Sequence, residues 1–153
     1  MTSLQAVDRV LAWARGVIPE ITTAYNWPTQ TNPQRLPDIA VAISSYGSGR
    51  SLGSRAGVPA SSALTRTLQQ QRSDVWAVQL SILNAPEPQQ ARAHEVWEWT
   101  DRLLTSWRAD HTLGGRFLET TAPEFSFDPA WETPAGSRGH LMLVDLGLIA
   151  PMV

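Results

Sequence analysis

The three histidines of this chain are the first candidates for metal or acid–base chemistry. They are His94, His111 and His140, and only His94 shares a predicted helix face with a carboxylate, that of Glu98, four residues further on. A helical zinc site needs two histidines at such a spacing together with a further ligand. The spacing therefore argues against a metal site. We expect His94 and His111 to be exposed and His140 to lie at the start of a strand.

The acidic residues that lie close together in sequence also have a structural explanation. Glu95, Glu98 and Asp101 have the spacing of a paired-acid cluster, but helical periodicity places them mostly on the solvated face of a helix. Asp38 follows a proline, and Asp145 lies within an apolar strand. Both positions favour a structural or interfacial role over general-base catalysis, so no acid–base constellation emerges.

The loop at residues 47–49 is the nearest approach to a nucleotide-binding motif. A dinucleotide fingerprint needs a third glycine at a defined spacing and a helix directly after it, and both are missing here. Ser48 and Ser54 lack the Gly-x-Ser-x-Gly frame of a nucleophile elbow. Every basic residue is an arginine, so the chain has no lysine for a phosphate loop or a Schiff base. We therefore expect no enzyme activity and no cofactor.

The composition is that of one folded domain spanning residues 1–153. Its 153 residues, with 42% hydrophobic and 17% charged side chains, are compatible with a single hydrophobic core. No apolar run approaches the ~20 residues that a membrane helix needs, and no secretory signal pattern is visible at the N-terminus. The absence of cysteine excludes disulfides, and a net charge of -2 argues against attraction of the whole surface to nucleic acid or membrane.

Two helices and several strands follow from the hydrophobic periodicity. Helices are predicted over residues 4–18, capped by Ser3, and over residues 89–110. Strands are predicted over residues 21–27, 36–45, 74–83, 116–121 and 138–149, with a long loop at 122–136. The last strand is apolar on both faces, which indicates a central position. This order favours an α+β fold: one mixed, mostly antiparallel sheet packed by an N-terminal and a central helix.

The central helix carries a broad apolar stripe that we expect to lie on the sheet. Its members are Ala93, Val96, Trp97, Thr100, Leu103, Leu104 and Trp107. Glu98 and Arg102 lie opposite, at the spacing of a favourable ion pair worth ~0.3–0.5 kcal/mol. Trp99 lies at the edge of the stripe, where it is either a partly buried boundary residue or an anchor that faces a partner.

The strand at residues 36–45 and the segment after it offer surfaces for a partner. Ile39, Val41 and Ile43 share one face of this strand, and the other face has small residues that would let something pack closely. The Gly/Ser/Arg-rich arm at residues 46–73 then carries four arginines and no acidic residue. Loops of this length are usually functional, disordered or ordered by a partner. The arm therefore becomes a candidate interface through Arg50, Arg55, Arg66 and Arg72.

Four features in order give the chain a resemblance to the tail terminator, or tail completion, proteins of long-tailed non-contractile phages, especially those that infect actinobacteria. The first is the N-terminal helix. The others are residues 36–41 (LPDIAV), residues 108–116 (RADHTLGGR) and residues 138–148 (RGHLMLVDLGL). The most specific string ends in a predicted structural turn at Gly114, Gly115 and Arg116. The arm at residues 46–73 is longer than the usual strand connection of that family.

The resemblance implies a mechanical function in virus assembly. Such proteins close the growing tail tube as a ring, typically a hexamer, and present a surface for joining the head. The implied partners are further copies of the chain, the major tail tube protein and a head-completion protein, with no membrane. Genomic DNA would pass the lumen without sequence-specific contacts. The implied location is the tail–neck junction of the virion, and the host cytoplasm during assembly.

Trp131 is a further candidate interface residue, and two alternative functions remain open. The aromatic Trp131, in the long loop before the last strand, joins Trp99 and the arm as a candidate contact with a subunit or partner. One alternative is another ring-forming neck component, a head–tail stopper or adaptor. The other is a small α+β ligand-binding module that uses the Gly/Ser loop.

Overall fold

A computed structural model describes residues 1–25, 35–48, 73–132 and 138–151, which form helices and one sheet. The helices are α1 (Ser3–Val17) and α2 (Gln89–Ala109). The strands are β1 (Thr23–Tyr25), β2 (Asp38–Ser48), β3 (Ser73–Asn84), β4 (Glu119–Thr120), β5 (Glu124–Glu132) and β6 (Arg138–Pro151).

The sheet has the strand order β1-β2-β3-β6-β4, and β5 also pairs with β6. β1 runs parallel to β2, whereas the other pairs are antiparallel. β3 and β6 are paired along their length, from Ser73 opposite Pro151 to Asn84 opposite His140. These findings confirm the predicted α+β fold with one mixed, mostly antiparallel sheet and an N-terminal and a central helix. They also place the last strand inside the sheet.

Both helices pack on one face of the sheet and enclose the core with it. Alternate residues of the central strands enter this core, among them Ile82 of β3 and Met142 of β6, which face each other in register. The hydroxyl of Thr100 in α2 lies 2.8 Å from the sulfur of Met142, which fixes α2 over β6. Trp13 of α1 donates its indole N–H to the hydroxyl of Ser106 in α2 at 3.0 Å. The two helices and the sheet therefore form two layers around one core.

The N-terminal cap lies one residue before the predicted one. Thr2, not Ser3, is the N-cap of α1, because its hydroxyl accepts from the backbone N–H of Gln5 while the Gln5 side chain accepts from the N–H of Thr2. This reciprocal pair is a capping box. Ser3 instead accepts a hydrogen bond from the indole N–H of Trp76, 3.1 Å away, and so joins α1 to β3.

The prediction of a long loop at residues 122–136 is wrong, because residues Glu124–Glu132 form strand β5 along β6. Pro129 masks this strand in the sequence, since proline cannot donate to a sheet ladder. The structure accommodates it in a register shift between Asp128 and Trp131, while Phe125 and Phe127 keep the alternation of a strand. The strand predicted at 116–121 shortens to β4, since residues 111–116 form a turn and the chain bends at residues 117–118.

The ends of the predicted arm belong to the sheet. β2 continues to Ser48 and β3 begins at Ser73, so residues 46–48 and 73 are strand residues and not part of a loop. Residues 49–72 lie outside the described residues. The strand predicted at 21–27 is described over Thr23–Tyr25.

Candidate interaction surfaces

A groove lies on the face of the sheet that does not carry the helices. It has a volume of about 210 Å³ and crosses the middle strands near the start of β2. Its lining residues come from β1, β2, β3, β5 and β6: Tyr25, Asp38, Ala40, Val41, Ala42, Gln79, Ser81, Leu83, Trp131, Leu141 and Leu143. We call this concavity the open-face groove.

The alternation of side chains along each strand creates the groove. In β2, Ile39 and Val41 belong to the core beneath the helices, so Ala40 and Ala42 turn to the opposite face. The cross-strand partner of Ala42 is Gln79, and that of Ala40 is Ser81, which keeps the floor of the groove short and in part polar. The small residues predicted on this face of β2 are therefore present, and no described helix covers them.

Trp131 forms one wall of the groove because of its partner in β6. It lies opposite Gly139 in the antiparallel register. A Cβ atom at Gly139 would lie 2.4 Å from the backbone oxygen of Asn84 and 2.8 Å from a methyl carbon of Leu83, so only glycine fits there. An aromatic ring beside a strand glycine covers the backbone that the glycine leaves bare. The predicted interface residue Trp131 is thus half-buried, at the rim of a concave surface.

Carboxylates border the groove along β5 and β6. Glu124 pairs with Asp145, and Asp128 pairs with Leu141, which places these three acids on the groove side of the sheet. Gln79 donates its side-chain N–H to Asp145 at 3.3 Å. Asp38 is 5% exposed at the opposite end of the groove. The two aspartates that the sequence marks as structural or interfacial, Asp38 and Asp145, therefore both belong to the sheet around this groove.

Two tryptophans of α2 differ from the prediction in their exposure to solvent. Trp99 is only 2% exposed and donates its indole N–H to Glu20 at 3.2 Å, so it is a core residue and not a partner anchor. Trp97, predicted within the buried stripe, is 54% exposed. Val96, Trp99 and Leu103 form the buried line, which is rotated from the predicted one. Glu20 accepts the indole N–H of Trp99 from outside the helix, a contact that the periodicity of α2 does not reveal.

Glu20, just beyond α1, also holds α2 through a charged network. Arg102 contacts Glu20 and Glu98, each at 2.7 Å, so the predicted Glu98–Arg102 pair is present and is extended to the segment after α1. A backbone hydrogen bond at Glu20 itself, followed by those from Arg102 and Trp99, lowers the pKa of the Glu20 carboxyl in spite of partial desolvation. The network is exposed and orients α2 without forming a reactive site.

Other large apolar side chains are exposed on separate elements. They are Leu4 at 58%, Tyr46 at 55%, Phe127 at 48% and Leu118 at 39%. Tyr46 is already engaged, because its ring lies 5.4 Å from that of Trp76 and its hydroxyl donates to Asp74 at 3.2 Å. Phe127 pairs with Met142 and therefore lies on the helix side of the edge strand β5.

The turn after α2 is held by a dense set of local hydrogen bonds. Asp110 accepts from the backbone N–H groups of Thr112 and Gly114, both at 2.9 Å, and Thr112 accepts from the N–H of Gly115. Leu113, Gly114 and Gly115 have φ values of 53°, 76° and 78°. Hydrogen bonds from Thr112 are the main cause that lowers the pKa of Asp110.

The turn also fixes Leu113 and Arg116 in place. Leu113 is 1% exposed, so its side chain enters the core while its backbone is left-handed. Arg116 donates to the carbonyl of Leu113 at 2.8 Å, and Arg9 of α1 donates to the carbonyl of Arg116 at the same distance. The structure thus places Gly114, Gly115 and Arg116 in a turn that joins the end of α2 to α1.

The histidines occupy unrelated surroundings. His94 is exposed, with its ring 5.3 Å from that of Trp97. His111 is also exposed and stacks on Trp107 at 4.0 Å. His140 is 3% exposed within β6. Among the described residues no group of three or more His, Cys, Asp or Glu side chains could hold a metal ion.

The candidate arm residues Arg50, Arg55, Arg66 and Arg72 lie outside the described residues. No helix in the described ranges is long and apolar enough to cross a membrane. No protein-family model matches the sequence, and no curated protein matches it either. The function therefore has to be argued from the residues and their geometry.

Proposed function

We propose that this protein is a structural component of virus assembly: a phage tail terminator that forms a ring on the end of the tail tube. In this role it stops tube polymerisation, and its other side receives the head. The ring is proposed to be a hexamer. The proposal starts from the resemblance of residues 36–41, 108–116 and 138–148 to that family.

The open-face groove is the observation that carries a role in assembly. A sheet in a two-layer fold is stabilised when its apolar surface is buried against another layer. Here Leu141 and Leu143 of β6 are only half-buried on the groove side, and the small residues Ala40 and Ala42 lie on the same face of the sheet, across β3. A face of this kind suits a protein partner that packs closely on the sheet.

The exposed aromatic Trp97 supports the same role. Tryptophan is enriched among the residues that contribute most to protein–protein binding. Trp97 is 54% exposed on α2, in the layer opposite the groove. One molecule thus offers a concave surface on one side and a projecting side chain on the other, which suits a component with neighbours on both sides.

The open-face groove is small for a ligand site, although the ligand-binding alternative concerns the Gly/Ser loop and not this groove. Pockets for small molecules usually enclose about 300–1,000 Å³. The open-face groove has about 210 Å³. A stopper or adaptor of the neck would use the same kinds of surface, so position in the virion has to separate that alternative from a terminator.

Tube capping is the direct test of the proposal. The major tail tube protein from the same phage is polymerised with and without this protein, and tube lengths and ends are measured by electron microscopy. We expect shorter tubes that carry a terminal ring. Unchanged tube lengths with bare ends would refute the terminator function. Binding to the portal complex instead of the tube would identify an adaptor, and a large thermal shift with a nucleotide or metabolite would identify a ligand-binding module.

A further inference from the structure

We propose that the open-face groove receives the side chain of Trp97 from a second copy of this chain. This inference deepens the proposed function, on which it rests, because it names the contact between neighbouring subunits. It concerns two described surfaces, the groove across the sheet and the exposed side of α2, and it needs no other part of the chain.

The size of the groove fits one aromatic side chain. An apolar cavity of about 150 Å³ in a protein holds one benzene molecule. The open-face groove has about 210 Å³, which leaves room for the larger indole ring. Because this volume is below that of usual ligand pockets, a single inserted side chain is the occupant that the space favours.

The lining of the groove also suits an indole. Tyr25 and Trp131 supply aromatic walls, and Leu141 and Leu143 supply apolar surface. Aromatic pairs in tilted or offset arrangements add ~0.5–1.5 kcal/mol to the effect of burial alone. A buried indole N–H also needs an acceptor. Gln79 and Ser81 lie in the same groove, and Ser81 carries a hydroxyl oxygen that can accept it.

Among the exposed aromatic residues of the described surface, Trp97 is the one that can make this contact. Tyr46 is already bonded to Asp74, and the side chain of Phe127 has no N–H or O–H group to pair with the polar atoms of the groove. Leu4 and Leu118 are aliphatic and cannot form the aromatic contacts. Trp97 projects from a rigid helix, and His94, whose ring lies 5.3 Å away, flanks it.

The positions of the two surfaces determine the type of assembly. The groove lies on the sheet face that does not carry the helices, whereas Trp97 lies in the helix layer. A contact between two different surfaces of identical chains is heterologous, so each subunit binds one neighbour and is bound by another. Such contacts form a ring if the rotation closes. Where the rotation does not close, the same contact builds an open filament, so it serves a terminator only in a closed ring.

Two substitutions of similar exposed residues test the contribution of Trp97 to assembly. The dissociation constant between subunits is measured by sedimentation and native mass spectrometry for Trp97→Ala and for Phe127→Ala, the matched control. Loss of a central tryptophan anchor is expected to raise this constant at least ~30-fold, and the control less than ~5-fold. Circular dichroism checks that both variants remain folded. Equal effects of the two substitutions would overturn the inference.

A photo-crosslinking amino acid tests the location of the contact. Benzoylphenylalanine is placed at position 97, or at position 127 as a control, and copies labelled with different nitrogen isotopes are mixed. We expect cross-links from position 97 to residues 79–83 or 141–143 of a second copy. Cross-links elsewhere, or a protein that stays monomeric at every concentration, would overturn the inference.

The two proposals fail in different ways. If tubes are capped normally by the Trp97→Ala variant and its rings persist, the terminator function stands and the groove contact is wrong. If Trp97 cross-links into the groove of a second copy but tubes are never capped, the contact stands and the terminator function is wrong.

Discussion

The left-handed turn after α2 gives the sharpest test of the structural reasoning, because two adjacent glycines differ in their surroundings. Gly114 and Gly115 have φ values of 76° and 78°, a region that residues with a Cβ atom rarely adopt. A Cβ atom at Gly115 would meet no atom within 4 Å, whereas one at Gly114 would lie 2.7 Å from Nη1 of Arg116. The perturbations are Gly115→Ala and Gly114→Ala.

The expected magnitudes follow from these two environments. Gly115→Ala costs only the left-handed backbone, ~1–2 kcal/mol in the free energy of unfolding. Gly114→Ala costs the same and also displaces Arg116 from the carbonyl of Leu113, to which it donates at 2.8 Å. Loss of that hydrogen bond adds ~0.5–1.5 kcal/mol, for a sum of ~1.5–3.5 kcal/mol. The unfolding temperature falls by about 2–4 °C per kcal/mol in a chain of this size.

Urea unfolding followed by tryptophan fluorescence measures both variants. Gly16→Ala is the matched control, because Gly16 lies in α1, has no positive φ and has open space around it. In that position alanine is expected to stabilise by ~0.5–1 kcal/mol. Asparagine tolerates the left-handed region, so Gly115→Asn is expected to recover part of the loss. A Gly115→Ala variant as stable as the parent chain, or one less stable than Gly114→Ala, would refute the reasoning.

Three further predictions concern the tryptophans, the pH dependence and β6. Trp99→Ala removes a side chain that is 2% exposed and should lower the free energy of unfolding by ~3–5 kcal/mol, whereas Trp97→Ala should lower it by less than ~1 kcal/mol in dilute, monomeric protein. Equal losses in urea unfolding would contradict the burial of Trp99 and the exposure of Trp97. Because folding lowers the pKa of Asp110, the stability that its carboxylate contributes is present above the ordinary pKa of 3.8 and is lost as the pH falls below that value. Asp110→Asn should therefore flatten the acid limb of a profile of stability against pH, and an unchanged limb would contradict the predicted contribution of Asp110. Gly139→Ala places a Cβ atom 2.4 Å from the backbone oxygen of Asn84 and should lower the free energy of unfolding by ~1–3 kcal/mol, as measured by thermal unfolding. A neutral result would contradict the close approach of β6 to β3 at this position.

The sequence predicts the fold well where one periodicity dominates. β3 and β6 alternate or are apolar over long runs, and α2 is bounded by a proline and a double-glycine turn, so these elements appear close to their predicted bounds. β5 is not predicted from the sequence because Pro129 interrupts the alternation of apolar and polar side chains. Only the pairing with β6 shows that the proline lies at a register shift.

The candidate surfaces are predicted less completely, because they depend on contacts between distant residues. The small face of β2 is visible in the sequence, but the groove also needs Trp131, which lies opposite Gly139 on a different pair of strands. The packed side of α2 includes Trp99, which together with Arg102 contacts the distant residue Glu20. A periodicity of 3.6 residues leaves several side chains at the edge of the apolar stripe, so it does not decide between Trp97 and Trp99.

The register shift in β5 lies on a strand at the edge of the sheet. β5 pairs with β6 on one side, and no described strand pairs with its other side. An exposed strand edge is a template for unregulated addition of further strands and for aggregation. Pro129, the local break in the ladder and the charges of Glu124 and Asp128 all oppose such addition. A chain whose strand edge is protected in this way can reach a high concentration without pairing edge to edge.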